Sequence, residues 1–137
     1  MVSEKRPARG LLDTSIFVAL EEGRRVRQEL LPRQSAISIV TQAELRVGVL
    51  LAEDIESRDL RIATFEASHR FATLPIDDAV ARAWSQMRAY LAASGARAPV
   101  NDMWIAATAV ASNMPVLTQD GDFYALNGVA GLTVIPV

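Results

Sequence analysis

Five carboxylates fall in short polar breaks of an otherwise apolar chain: Asp13 in Leu11-Leu12-Asp13-Thr14-Ser15, Glu44 in Thr41-Gln42-Ala43-Glu44, Asp102 in Asn101-Asp102, and Asp120 and Asp122 in Asp120-Gly121-Asp122. Brought together they would repel. Two carboxylates about 5 Å apart cost roughly 3 kcal/mol at an effective dielectric near 20, and each further acid adds pairs. Such a cluster must take up protons or hold a cation. All-oxygen ligands suit a hard ion, Mg²⁺ or Mn²⁺, that keeps several of its waters. A carboxylate-held dication with open positions can ionise water and neutralise charge on a phosphate under in-line attack. Other chemistries are closed off by composition. The chain has no cysteine and a single histidine, His69. Thiol nucleophiles, disulfides, zinc sites built on Cys or His, and a Ser-His-Asp triad are therefore excluded, with His69 read as a solvated or half-buried helix residue. Lys+Arg number 14 and Asp+Glu 16, so overall charge does not draw the chain to nucleic acid, and any action on one must be local.

These acids need a scaffold that carries distant segments to one place. Half of the 137 residues are apolar, enough for one core and one domain, expected over 10–137 after a loose basic tail at 1–9. No apolar run reaches membrane-spanning length and no cleavage site follows Glu21-Glu22-Gly23, which points to a soluble, cytoplasmic protein.

Short β-branched or apolar runs alternate with longer stretches of helical period, the pattern of a parallel sheet covered by helices. The first strand is expected at Gly10–Asp13, with a helix from Ser15 capped by its hydroxyl. The second is expected at Ala36–Val40, where Thr41 and Glu44 read as a capping box opening a helix to about Leu51. A helix from about Ile55 to Phe71 carries the i,i+4 pairs Asp54/Arg58 and Glu66/Arg70, and a strand follows around Thr73–Ile76. Asp77 caps the next helix, whose Val80, Ala83, Trp84, Met87, Tyr90 and Leu91 form one buried stripe before Gly95 ends it. Asn101-Asp102 then opens a helix that is apolar on nearly every side, and strands follow at Pro115–Thr118 and Leu132–Ile135.

Ligands of open parallel sheets bind beyond the carboxyl ends of the strands, where all five acids fall. Each acid alone also has a plain structural role as a helix cap, a capping-box partner or a turn residue. Caps and turns do not explain why all five converge. Among the cations, Arg46 and Arg97 lie next to the acidic segments and could clamp a phosphate, or merely solubilise the surface. With Trp84, Tyr90 and Trp104 assigned to the core, a stacking platform for single strands is not expected, and selectivity for RNA would rest on shape.

The stretches Leu11–Ser15, Ser38–Gly48, Pro99–Ala107 and Leu117–Phe123, in this order over essentially 10–137, resemble the PIN-domain ribonucleases, and within them the VapC toxins of bacterial toxin–antitoxin pairs. The resemblance implies an α/β, PIN-like fold with a central five-stranded parallel sheet of order 3-2-1-4-5. It further implies cleavage of RNA, a structured one such as tRNA or rRNA, that depends on Mg²⁺ or Mn²⁺. It makes Asp13, Glu44, Asp102 and Asp120 the acidic quartet, Asp122 a fifth acid near a second metal, and Thr14 and Thr118 hydroxyls that orient carboxylates or water. It implies a cognate VapB-type antitoxin, for which Val47, Val49, Leu50 and Leu51 could form an apolar groove, and a homodimer. The competing reading is a catalytically quiet acidic-pocket domain, either receiver-like or a PIN scaffold used for association alone. A receiver would need a late lysine, and Lys5 is the only one.

Overall fold

The computed structural model describes residues 6–137. Five parallel strands, β1 (Arg9–Leu12), β2 (Gln34–Ser38), β3 (Ala72–Leu74), β4 (Val116–Thr118) and β5 (Val134–Pro136), form one sheet of order β3-β2-β1-β4-β5. The crossovers carry α1 (Thr14–Glu21), α2 (Ile39–Leu50), α3 (Ile55–Ser68), α4 (Asp78–Ser94) and α5 (Val100–Ala111). The order is the one expected, and it differs from the 2-1-3-4-5 order of receiver domains.

Strand alternation divides the core in two. Leu11, Ala36 and Val116 point into the layer made with α4 and α5, where Val80, Met87, Leu91, Ile105 and Phe123 are buried. Their neighbours Leu12, Ile37 and Leu117 point the other way, onto Ile16, Phe17 and Leu45 of α1 and α2. Each such side chain contributes roughly 1.5–3 kcal/mol by leaving water. With both faces covered, the central strands β1 and β4 carry consecutive apolar residues, Leu11-Leu12 and Val116-Leu117.

Several boundaries differ from expectation. β1 starts at Arg9, and Pro7 and Ala8 carbonyls already accept from Arg33 and Gln34 N–H groups at 3.2 and 2.9 Å, so the end of the basic stretch is engaged; residues 1–5 of it lie outside the described residues. Asp13 rather than Ser15 caps α1, accepting from Ser15 N. Ser38 caps α2, with its Oγ accepting from Val40 N at 3.0 Å, so the expected capping box does not form and Thr41 is buried inside the helix. α3 ends at Ser68, leaving His69 exposed as its C-cap residue, with Nδ1 2.9 Å from the Phe65 carbonyl and Nε2 3.1 Å from Gln42. Neither expected pair around α3 forms: Asp54 instead caps it, accepting from Ser57 N at 2.7 Å.

On α4, Asp77 caps and Gly95 ends the helix at φ 72°, the left-handed position that glycine takes without strain. Val80, Ala83, Met87 and Leu91 are buried as expected, but Trp84 is half-buried and Tyr90 is 59% exposed. α5 buries Met103 and the run Ile105–Ala109, whereas Trp104 is half-buried, stacked on Trp84 with centroids 4.8 Å apart. Among the described residues no helix is long and apolar enough to cross a membrane.

Candidate metal and active site

β1 lies between β2 and β4, and the chain leaves it in one direction and returns on the other side, so the crevice where crossovers diverge opens beyond the carboxyl ends of β1 and β4. Asp13 follows β1 directly. It is buried, and its Oδ2 accepts from Ser15 N at 3.2 Å and from Thr118 Oγ1 at 2.9 Å. Burial raises its pKa, and these hydrogen bonds partly oppose the rise. Thr118, at the end of β4, is buried and in turn accepts from Asp120 N at 2.8 Å. A single hydroxyl thus ties the carboxylate of one strand to the turn after another.

Glu44 comes from the second turn of α2. Its Oε1 accepts from Thr14 Oγ1 at 2.7 Å, and its Oε2 lies 3.5 Å from Asn101 Nδ2. Thr14 Oγ1 is also 3.0 Å from Thr41 Oγ1. Thr14 donates toward both oxygens and shares its one proton between them, the Glu44 contact being the shorter. Thr41, expected as a cap, therefore braces the hydroxyl that orients Glu44.

α5 begins at Pro99 without a side-chain cap, which leaves Asp102 free in its first turn. Asp102, Asp120 and Asp122 each offer a carboxylate oxygen, and these oxygens all lie within 4.8 Å of one another. The pKa of Asp102 is pushed up to about 7, first by desolvation and then by the charges of Asp13, Asp120, Glu44 and Asp122. Asp120 Oδ1 accepts from Asp122 N at 2.9 Å, which shapes the turn after β4. Asp13, Thr14, Glu44, Asp102 and Asp120 line one cavity of about 240 Å³, and Asp122 reaches it through Asp102 and Asp120. All seven residues singled out in the sequence therefore lie at one crevice.

Three further residues line the same cavity: Ser15, Val18 and Arg24. Ser15 Oγ accepts from Gln119 N at 2.9 Å and lies 3.2 Å from Thr118 Oγ1. It is free to do so because Asp13 took over the cap. Arg24, 3.1 Å from Glu22 in an exposed ion pair, is the cation of the cavity. Neither arginine expected as a clamp lines it: Arg46 sits over the Phe65 ring, 5.2 Å from its centroid, and Arg97 lines a different cavity with Trp84 and Arg88. Nothing local in Gly23-Arg24-Arg25 marks Arg24; only the fold brings it over.

Comparison with known proteins identifies the family. The PIN domain family profile matches residues 10–129. Ribonuclease VapC5 of Mycobacterium tuberculosis is 50% identical over 131 residues, 96% of this chain and 97% of the relative. Ribonuclease VapC4 of the same organism is 41% identical, over 92% of this chain and 97% of the relative. Among solved structures, that of VapBC-5, a member of the VapBC family of toxin–antitoxin systems from M. tuberculosis, matches with a TM-score of 0.90 at 47% identity, covering 96% of this chain and 100% of that one. The sheet order, the converging acids and these matches together show that the chain belongs to the PIN domain family, among the VapC ribonucleases.

Proposed function

We propose that this chain is an endoribonuclease toxin that cuts RNA phosphodiester bonds with the help of Mg²⁺ or Mn²⁺ and is neutralised by a cognate VapB-type antitoxin. The observation that carries the reading is the convergence of Asp102, Asp120 and Asp122 within 4.8 Å, beside Asp13 and Glu44 in one cavity, with the pKa of Asp102 pushed up to about 7 by burial first and by their charges second. The donor set fits a hard dication: the polar side chains lining the cavity offer carboxylate and hydroxyl oxygens, and a single guanidinium, that of Arg24, stands there as cation. Asp13, Asp102 and Asp120 would hold it, Glu44 would reach it directly or through water, and Asp122 would stand by a second ion. When bound, a dication of this kind lowers the pKa of water and neutralises charge on the phosphate.

The chain's own residues do the rest. Thr118 and Ser15 N fix Asp13, and Thr14 fixes Glu44, so the carboxylates are held in position before substrate arrives. Arg24 is placed to meet a phosphate oxygen. The proton of the attacking water has no acceptor side chain here other than a carboxylate, since His69 lies exposed on α3's end. Attack by water leaves a 5′-phosphate and a 3′-hydroxyl. A structured RNA such as tRNA or rRNA is the substrate class.

The partner reading rests on α2, where Val47, Leu50 and Leu51 are 49%, 67% and 69% exposed, an apolar edge beside the acid cavity that suits an antitoxin helix and a homodimer. A cytoplasmic location agrees with both substrate and partner.

The test is RNA cleavage with and without Mg²⁺ by the wild type, Asp13→Asn and Asp102→Asn. Cleavage is expected only with the metal and should fall at least about a hundredfold in each variant. Circular dichroism should stay unchanged, and melting without metal should be equal or higher, because a repelling charge is gone. Full activity in both variants overturns the assignment.

A further inference from the structure

We propose that the cavity between α4 and the start of α5 is a subsite for one unpaired nucleotide of the substrate strand, its base against Trp84 and its phosphate between Arg88 and Arg97. The proposal rests on the nuclease reading above and extends it to how the RNA is held. The cavity has a volume of about 410 Å³, at the lower end of ligand pockets, which run to about 1,000 Å³, and has room for a nucleotide but not for a duplex. Its walls include Leu91 and Met103, and Trp84, whose ring is stacked on Trp104. Its polar groups are Arg88 and Arg97, which make no ion pair or hydrogen bond with any described residue. By contrast Arg82, one turn and a half earlier on α4, is paired with Asp78. Two unneutralised guanidiniums at the mouth of an apolar slot suit a ligand that is anionic at one end and flat and aromatic at the other.

Position selects the substrate strand as that ligand. Val100 and Met103 line this cavity, whereas Asn101 and Asp102, between them on the same helical turn, reach Glu44 and the acid cavity. The two cavities therefore open on opposite sides of one helix about 10 Å across. A strand whose scissile phosphate sits at Asp102 passes this mouth with the next nucleotide or the one after it. The indole N–H of Trp84 is buried with no acceptor, a cost the fold bears at this spot. Loops of structured RNA supply splayed, unpaired bases of the kind required.

Trp84 and Trp104 are the only tryptophans of the chain, and Trp84 lines this cavity with its ring stacked on Trp104, so their fluorescence reports a ligand bound here. Short single-stranded oligoadenylate and oligouridylate, titrated before cleavage sets in, should quench it, and blunt duplex RNA of the same length should not. The double variant Arg88→Ala/Arg97→Ala should bind single strands about tenfold more weakly, with a salt slope lower by about 0.7, the value for one phosphate no longer neutralised. Arg82→Ala, which removes one charge from the same helix outside this cavity, should leave affinity as in the wild type. If the wild type cuts RNA but shows no quenching, or the double variant binds with wild-type affinity and slope, the subsite is wrong and the nuclease reading stands. A glutamate-rich peptide that quenches where RNA does not would assign the cavity to a protein partner and overturn the proposal. A wild type that cuts no RNA removes both readings.

Discussion

At the scale of single residues, the site is held in tension by Asp102. Its folded-state pKa of about 7 lies above the ordinary carboxylate value of 3.8, so the folded chain binds more protons than the unfolded chain between those two values. Stability without metal should therefore fall as pH rises from about 4 to about 7, with the contribution fully lost above 7. The raised Asp13 works in the same direction. Thermal melts in EDTA against pH check this, and Asp102→Asn should flatten the curve. Mg²⁺ should raise the melting point more at pH 8 than at pH 5, where protons compete; a ligand at a hundred times its Kd stabilises by about 2.7 kcal/mol. A second prediction concerns Thr118, which donates to Asp13 and accepts from Asp120 N while fully buried. Thr118→Val strands both groups and should cost about 1–3 kcal/mol as well as most of the cleavage, whereas Thr118→Ser should restore both. The acids were legible together rather than singly, because caps and turns account for each of Asp13, Glu44, Asp102, Asp120 and Asp122 but not for their falling at one edge of the sheet. Ser15, Thr41 and Arg24 were not, since their roles depend on which neighbour takes the cap and on contacts between segments far apart in the chain.

At the scale of elements, the alternation of strand and helix was plain in the sequence, and the shifts at their ends have a common cause. Ile39 and Val40 are β-branched and read as strand, yet they form the first turn of α2, because β2 loses its partner once β3 ends at Leu74 opposite Ser38. Pairing ran out, and local propensity yielded. In α4 the 3.6 period placed Tyr90 in the buried stripe, but the buried part holds Val80, Ala83, Met87 and Leu91, with Trp84 half-buried against Trp104 at its edge and Tyr90 left exposed. The closeness of the strands around the site gives a third prediction. A Cβ on Gly10 would come within 2.5 Å of Leu117 Cδ1 and 3.1 Å of Pro32 Cγ. Leu117 is fully buried and cannot swing clear, so Gly10→Ala should destabilise by about 1–3 kcal/mol, read from denaturant midpoints. Because β1 and β4 carry Asp13 and Thr118, the same change should weaken cleavage even below its melting temperature. Stability loss without loss of cleavage would show that the crevice tolerates strand movement.

At the scale of the whole molecule, a formal charge of −2 hides a division of labour. The acids gather in one crevice, Arg88 and Arg97 stand at the α4–α5 cavity, and apolar residues crowd the α2–α3 edge, where Val47, Leu50, Leu51, Ile55 and Leu60 are all between 49% and 80% exposed. An edge of that kind costs solubility in a monomer and is expected where a partner covers it. Replacing Leu50 and Leu51 by Asp separates the two roles of the surface. Both side chains already face water, so the variant's own stability should change by no more than about 0.5 kcal/mol and its RNA cleavage should persist. In cells that also express a cognate VapB-type antitoxin, the wild type should be silent and the variant should arrest growth, because two buried charges without partners oppose docking. Restoration of growth arrest only when cleavage is intact, as checked by adding Asp13→Asn to the same variant, ties the phenotype to the acid crevice. Neutralisation of the Leu50/Leu51 variant at wild-type antitoxin levels would instead move the partner's seat elsewhere on the molecule.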